Sequence, residues 1–122
     1  MSGSNGSISL LTLTVIATAA VAGCRCVTQA GAYAAAGGVV YGVTRTPGSV
    51  GDPIPVDILG TTIVEAGAAI TKDAALMVDA TGRVVPLSGA GKSPVGRAQE
   101  AATAAGEFIE VLLVPSAGLV SV

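Results

Sequence analysis

The chain contains no histidine and no tryptophan, and its 122 residues carry only three aromatic side chains, Tyr33, Tyr41 and Phe108. Without histidine it lacks the commonest general base and the commonest protein metal ligand. Charge is scarce too. Six basic and eight acidic residues make up 11% of the sequence and leave a net charge of −2. There is no basic cluster and no interleaving of basic with aromatic residues, so the electrostatic footprint of a nucleic-acid binder is missing. Cysteine is limited to Cys24 and Cys26, in Cys-Arg-Cys. A disulfide between residues so close would be badly strained. A metal site would need further thiolate or imidazole ligands, which the chain does not have. The pair is expected as two reduced thiols of a protein made in the cytosol.

What is present is small and apolar. Hydrophobic residues reach 51%, mostly Ala and Val, and mean hydropathy is +0.74. The length suits one domain. Its core should be modest, because Ala buries little area and burial stabilises at about 25 cal/mol per Å². So little charge implies apolar surface that partners cover, in an oligomer or on a larger assembly.

Residues 1–7 (MSGSNGS) bury nothing and are expected as a flexible arm, followed by a single β domain over 8–122. Such an arm can order by adding a strand to a partner's sheet edge. Residues 8–21 (ISLLTLTVIATAAV) form an apolar run ending in Val21-Ala22-Gly23-Cys24. That tetrapeptide imitates a lipoprotein cleavage site and suggests, as an alternative, a secreted or lipid-anchored envelope protein. A signal peptide needs a positive front end, and no Lys or Arg precedes Arg25. The run is also shorter than the roughly 20 residues of a transmembrane helix. Leu11, Leu13, Val15 and Ala17 alternate with Thr12, Thr14, Ile16 and Thr18, so a strand is predicted.

Further strands are predicted over 25–29, 39–45, 52–59, 60–65, 74–78, 95–100 and 107–114. Pro53 and Pro55 remove donors from one edge of the 52–59 strand, which marks a border of the sheet. Asp79-Ala80-Thr81-Gly82 is a hairpin turn with arms at 76–78 and 83–85. Residues 101–106 are an Ala-rich connection with the makings of one helical turn. An internal echo is visible. Gly51-Asp-Pro-Ile-Pro-Val56 matches Gly106-Glu-Phe-Ile-Glu-Val111, and Tyr41-Gly-Val-Thr-Arg45 resembles Val95-Gly-Arg-Ala-Gln99. Two related halves are a natural way to close a small β-barrel or sandwich.

Reactive constellations fail on inspection. Gly91-Lys92-Ser93 imitates the end of a phosphate-binding loop, but Pro86 stands where that motif needs its first glycine, and Pro94 and Gly96 prevent the helix it requires. A Ser–Lys pair through Lys92 or Lys72 has no local signature. The eight carboxylates are scattered over turns and alternating strand positions, as on a solvated face. No enzyme activity, cofactor or metal is expected.

The run Gly42-Val43, Val50-Gly51-Asp52, Val56 and then 60–70 resembles the bacteriophage capsid cement family, also called head decoration or capsid stabilisation proteins. Asp79-Ala-Thr-Gly-Arg-Val-Val85, Val95-Gly-Arg-Ala98 and 101–111 resemble it as well. The resemblance extends from about Thr18 to Val114. It implies a compact all-β fold of the tulip kind and no catalysis. It implies a structural protein of the virion, made in the host cytoplasm. That protein binds the major capsid protein outside the expanded capsid, often as a homotrimer near three-fold or quasi-three-fold positions, and holds it against packaged DNA. Neither nucleic acid nor membrane is an expected partner. The family carries no strict functional residues. The segment expected to reach the capsid is Ser7, Ile8, Ser9 and Leu10, at the base of the arm.

Overall fold

The computed structural model describes residues 8–114. Eight strands appear: β1 (Ser9–Ile16), β2 (Cys26–Val27), β3 (Gly42–Thr44), β4 (Pro53–Glu65), β5 (Ala75–Val78), β6 (Val84–Pro86), β7 (Gly96–Ala98) and β8 (Phe108–Leu113). Their order is β2-β3-β4-β8-β7-β5-β6, with β1 paired to β4. Every strand pairing is antiparallel, and the sheet curls into a nearly closed barrel. The Cys26 N–H reaches the Gly82 carbonyl at 2.7 Å and brings β2 against the β5–β6 turn. The fold is all-β, as expected. The arm at 1–7 lies outside the described residues.

The strands predicted over 25–29, 39–45 and 95–100 are shorter, β2, β3 and β7 holding two or three residues each, and three larger differences stand out. The strand predicted over 8–21 stops at Ile16. Beyond it, Ala17 and Val21 are buried without belonging to a strand, so their apolar character serves the core of an irregular segment. The two strands predicted over 52–59 and 60–65 are one strand of 13 residues. Gly60, at φ +101°, bends it without breaking it, a conformation only glycine adopts readily. Residues 101–106 form turns and no helical turn.

The hairpin turn closes as predicted. Asp79 accepts backbone bonds from Thr81 and Arg83, each at 2.9 Å, and Val78 faces Val84 across the arms. The 52–59 segment is not a border of the sheet, because the first half of β4 lies between β1 and β3. The Arg45 N–H donates to the Pro55 carbonyl at 3.0 Å. A strand residue's nitrogen and oxygen point the same way, so the donorless edge faces β3 at the point where β3 ends. β8, which lacks prolines, sits inside the sheet between β4 and β7.

The echo is a structural duplication. Thr44 faces Val56 in β3–β4, and Ala98 faces Val111 in β7–β8. Leu13 also faces Val56 in β1–β4, as Thr62 faces Val111 in β4–β8. Cys26 faces Val43, as Ala75 faces Arg97. The isolated bridge Val21–Gly48 recurs as Ile70–Ala102. Cys24 and Asp73, the two non-glycine residues with positive φ, hold one position, and each N–H donates to the end of its neighbouring strand, at Thr44 and Ala98. The chain is therefore two copies of one β unit. The first comprises β1, β2, β3 and the first half of β4. The second comprises the second half of β4, β5, β7 and β8. β6 has no counterpart.

The core is duplicated with the backbone. One cluster holds Val15, Ala17, Val21, Val27, Ile54 and Val56. Their counterparts Val64, Ala66, Ile70, Leu76, Ile109 and Val111 all belong to a second cluster. Gly42 and Gly96 repeat a further detail. A methyl group on Gly42 would overlap the Asp57 carbonyl oxygen, and one on Gly96 would overlap the equivalent Leu112 oxygen. Glycine is needed there because the neighbouring backbone occupies the space of a side chain.

Candidate interaction surface

The joint between the units concentrates the buried polar side chains. Asp57 is 1% exposed, on the first half of β4. Its carboxylate accepts from the Thr12 hydroxyl at 2.9 Å and the Thr62 hydroxyl at 2.8 Å, and lies 3.7 Å from the Arg45 guanidinium. Nearby, Arg25 donates twice to Glu65, at 3.0 and 3.2 Å, and Arg83 approaches the other Glu65 oxygen at 3.8 Å. An open recess of about 210 Å³ is lined by Cys24, Thr44, Arg45, Asp57, Thr62 and Ile63. Its groups are poorly suited to chemistry. Each Asp57 oxygen already accepts from a threonine hydroxyl, and burial followed by the charge of Glu65 pushes the Cys24 thiol up, away from the nucleophilic thiolate. Cys26 is fully buried, and burial with the nearby Asp79 pushes it up to about 12. Both thiols are free. Among the described residues, no group of three or more His, Cys, Asp or Glu side chains could hold a metal.

The loop bearing Gly91-Lys92-Ser93 leads into β7 and not into a helix, so it presents no helix N-terminus to a phosphate. The Lys92 methylenes lie over Gly37, and Ser93 is buried with its N–H on the Gly37 carbonyl at 2.9 Å. The lipobox-like segment is also part of the fold. Val21 is in the core, and Cys24 bonds Thr44 at 2.9 Å. Cleavage before Cys24 would remove β1 and the core side chains Val15, Ala17 and Val21. No helix of the described residues is long and apolar enough to cross a membrane.

β1 is different in character. Of the segment expected to reach a capsid, Ser7 lies outside the described residues. Ile8 is 68% exposed although its N–H meets the Thr61 hydroxyl at 2.9 Å and its carbonyl accepts from the Thr61 N–H at the same distance. Ser9 starts the strand opposite Gly60, and Leu10 is 71% exposed. Leu11, Leu13 and Ile16 are exposed too. An uncharged, leucine-rich strand paired with a single neighbour is the kind of edge that a folded protein leaves bare only where something covers it.

Residues 6–113 match the phage cement protein family. The chain belongs to that family. Membership carries a structural, capsid-associated role in a phage. No curated protein matches the chain. Its fold is similar to that of the head fiber gp8.5 N base in bacteriophage phi29, with a TM-score of 0.69. The two are 23% identical over 87% of this chain and 95% of the other. That likeness bears on the fold alone.

The duplication also left a sequence trace beyond the echo read above. Val15-Ile-Ala-Thr-Ala-Ala-Val21 and Val64-Glu-Ala-Gly-Ala-Ala-Ile70 are counterparts. With them in view, the joint between units could be located from sequence.

Proposed function

We propose that this cement-family chain binds the major capsid protein on the outside of the expanded capsid, as a homotrimer at three-fold or quasi-three-fold positions, and stabilises the shell against packaged DNA. The family match over 6–113 carries the reading. A protein that binds only the expanded lattice stabilises that lattice by mass action, in proportion to RT ln(1 + [L]/Kd) per site. No reactive group is required for this work. The base of the arm supports the reading, because Ile8 and Leu10 offer apolar area that the fold leaves uncovered. With residues 1–7 ahead of them, they can order against a neighbouring sheet edge.

The test is co-sedimentation with expanded capsids lacking the protein, followed by their thermal disruption. The purified chain should bind in many copies and raise the disruption temperature. A chain that leaves the capsids unbound, or their melting unchanged, overturns the proposal. Deleting residues 2–7, or Leu10→Asp, should weaken capsid binding while leaving the circular dichroism spectrum unchanged.

A further inference from the structure

β3 and β8 lie along one edge of β4, and β8 runs into the start of β3. Ser9 and Leu113 both face Gly60, and Thr12 and Val43 both face Asp57, so β3 and β8 share the edge opposite β1. Both are antiparallel to β4 and therefore run the same way. Beyond Leu113 the next places along that edge are beside Leu59, Ile58 and Asp57, and β3 already holds the last of them. The β7–β8 ladder ends here too. The Val114 N–H reaches the Val95 carbonyl at 3.0 Å. The next pair in register is Pro94 with Pro115, and neither has an N–H to donate. Past Val114 neither ladder has a place for the chain.

The gap between β3 and β8 is a shallow apolar groove. Val40, Tyr41 and Ile58 line one side, and Val95, Leu113 and Val114 the other. Tyr41 and Val95 are counterparts, as are Ile58 and Leu113, so the groove marks where the two units abut. No charged side chain lines it. Val114 at its rim is 48% exposed, and Val39 beside it 49%. The segment that starts at this rim is of the same kind. Residues 115–122 (PSAGLVSV) carry no charge and include Leu119, Val120 and Val122. They lie beyond the 6–113 family match. Extended chain advances about 3.4 Å per residue, so Leu119 and Val120 can reach roughly 17–20 Å from Val114. That is several times the strand spacing of about 4.8 Å.

From this we infer that residues 115–122 fold back across the groove as a strap, with Leu119 and Val120 against Tyr41 and Val40. An apolar segment that has no place in the sheet and starts at the rim of an apolar groove buries most area by lying over it. The strap closes the seam between β3 and β8, which backbone pairing leaves open. The tether selects the occupant. A segment joined to the rim by a few residues meets the groove at an effective concentration in the millimolar range, ahead of a second copy or a capsid segment. Ile8 and Leu10 lie with β1 on the other edge of β4 and stay available for the capsid. The strap forms in the free chain, so it stands or falls apart from capsid binding.

Magnetic resonance of the full chain, in a Cys24→Ser background and without capsids, tests the strap. A nitroxide on Ser121→Cys should broaden the backbone amides of Val40, Tyr41 and Gly42. The amides of Gly51 and Gly106, at the far ends of the two units, should stay sharp. Sharp signals throughout, or broadening centred on β1, overturn the inference. Spin-labelled chains mixed with isotopically enriched chains that lack the label should give no broadening. Broadening in that mixture assigns the groove to the tail of another copy and also overturns it. Leu119→Asp with Val120→Asp should abolish the broadening and move the Tyr41 amide to its position in a chain that ends at Val114. A double variant that keeps the full-chain pattern, or a shortened chain whose Tyr41 amide does not move, rejects the contact.

Discussion

Cys24, at φ +57°, and Asp73, at φ +74°, occupy the same turn in the two units, each donating its N–H to the last residue of the neighbouring short strand. Left-handed backbone costs an L-residue roughly 1–2 kcal/mol, and glycine avoids that cost. Asp73 is exposed, and its side chain holds only the surface partner Arg97 at 3.5 Å. Asp73→Gly should therefore be neutral or raise stability by up to about 1 kcal/mol. Asp73→Val should lower it by more than about 1 kcal/mol, because a β-branched side chain tolerates positive φ poorly. Urea denaturation of the three chains is the check, and equal midpoints would contradict the shared turn geometry.

The paired glycines give a sharper contrast. Gly42→Ala and Gly96→Ala each place a methyl group on a backbone carbonyl of the adjacent strand, which cannot yield as a flexible side chain can. Each should destabilise by about 3 kcal/mol or more, the upper part of the overpacking range. Gly51→Ala meets nothing within 4 Å and carries only the strain of φ +90°, so it should cost about 1–2 kcal/mol. Thermal melts should rank the first two together and well below the third.

At the joint, Asp57→Leu alone leaves the Thr12 and Thr62 hydroxyls without their acceptor, and Thr62→Leu alone sets an apolar group against a buried carboxylate. Each should cost about 1–3 kcal/mol. The double variant removes the carboxylate and the hydroxyl together and should cost less than the sum of the two. A double-mutant cycle measures the difference. Strict additivity would show that the two positions do not share a contact.

The thiol of Cys26 gives the pH prediction. Burial, with Asp79 adding to it, raises the folded pKa to about 12, against about 8.5 in an unfolded chain. The native state keeps a proton that the unfolded state releases. The resulting stability is complete below about pH 8.5 and is lost as pH rises through the folded value. Urea midpoints should fall between pH 8 and pH 10, and the fall should be smaller in Cys26→Ala. Maleimide should leave Cys26 untouched until the chain unfolds.

Strand positions, the Asp79–Gly82 hairpin and the absence of reactive groups were legible because each rests on local chemistry: alternation, turn residues, missing residue types. The repeat was legible only in part. Its echo in β3, β4, β7 and β8 shares Gly, Ile and Val at fixed spacing. Its echo in β1 and the second half of β4 is masked, because the positions facing the neighbouring unit changed character, Leu13 to Thr62 and Ile16 to Glu65. Gly60 reads as a break in any strand, and only the pairing of β1 with the first half of β4 and β8 with the second shows it to be a bend. Ala17 and Val21 read as strand because burial, not pairing, dictates their type.

β4 gives its first half to one unit and its second half to the other with no loop between them. Neither unit can be peeled away while the other keeps a complete sheet. A pull along the chain loads the β1–β4 and β4–β8 ladders in shear, where many hydrogen bonds must fail together. Force applied at the two ends enters through β1 and β8 and meets in β4, the strand that both of them pair with.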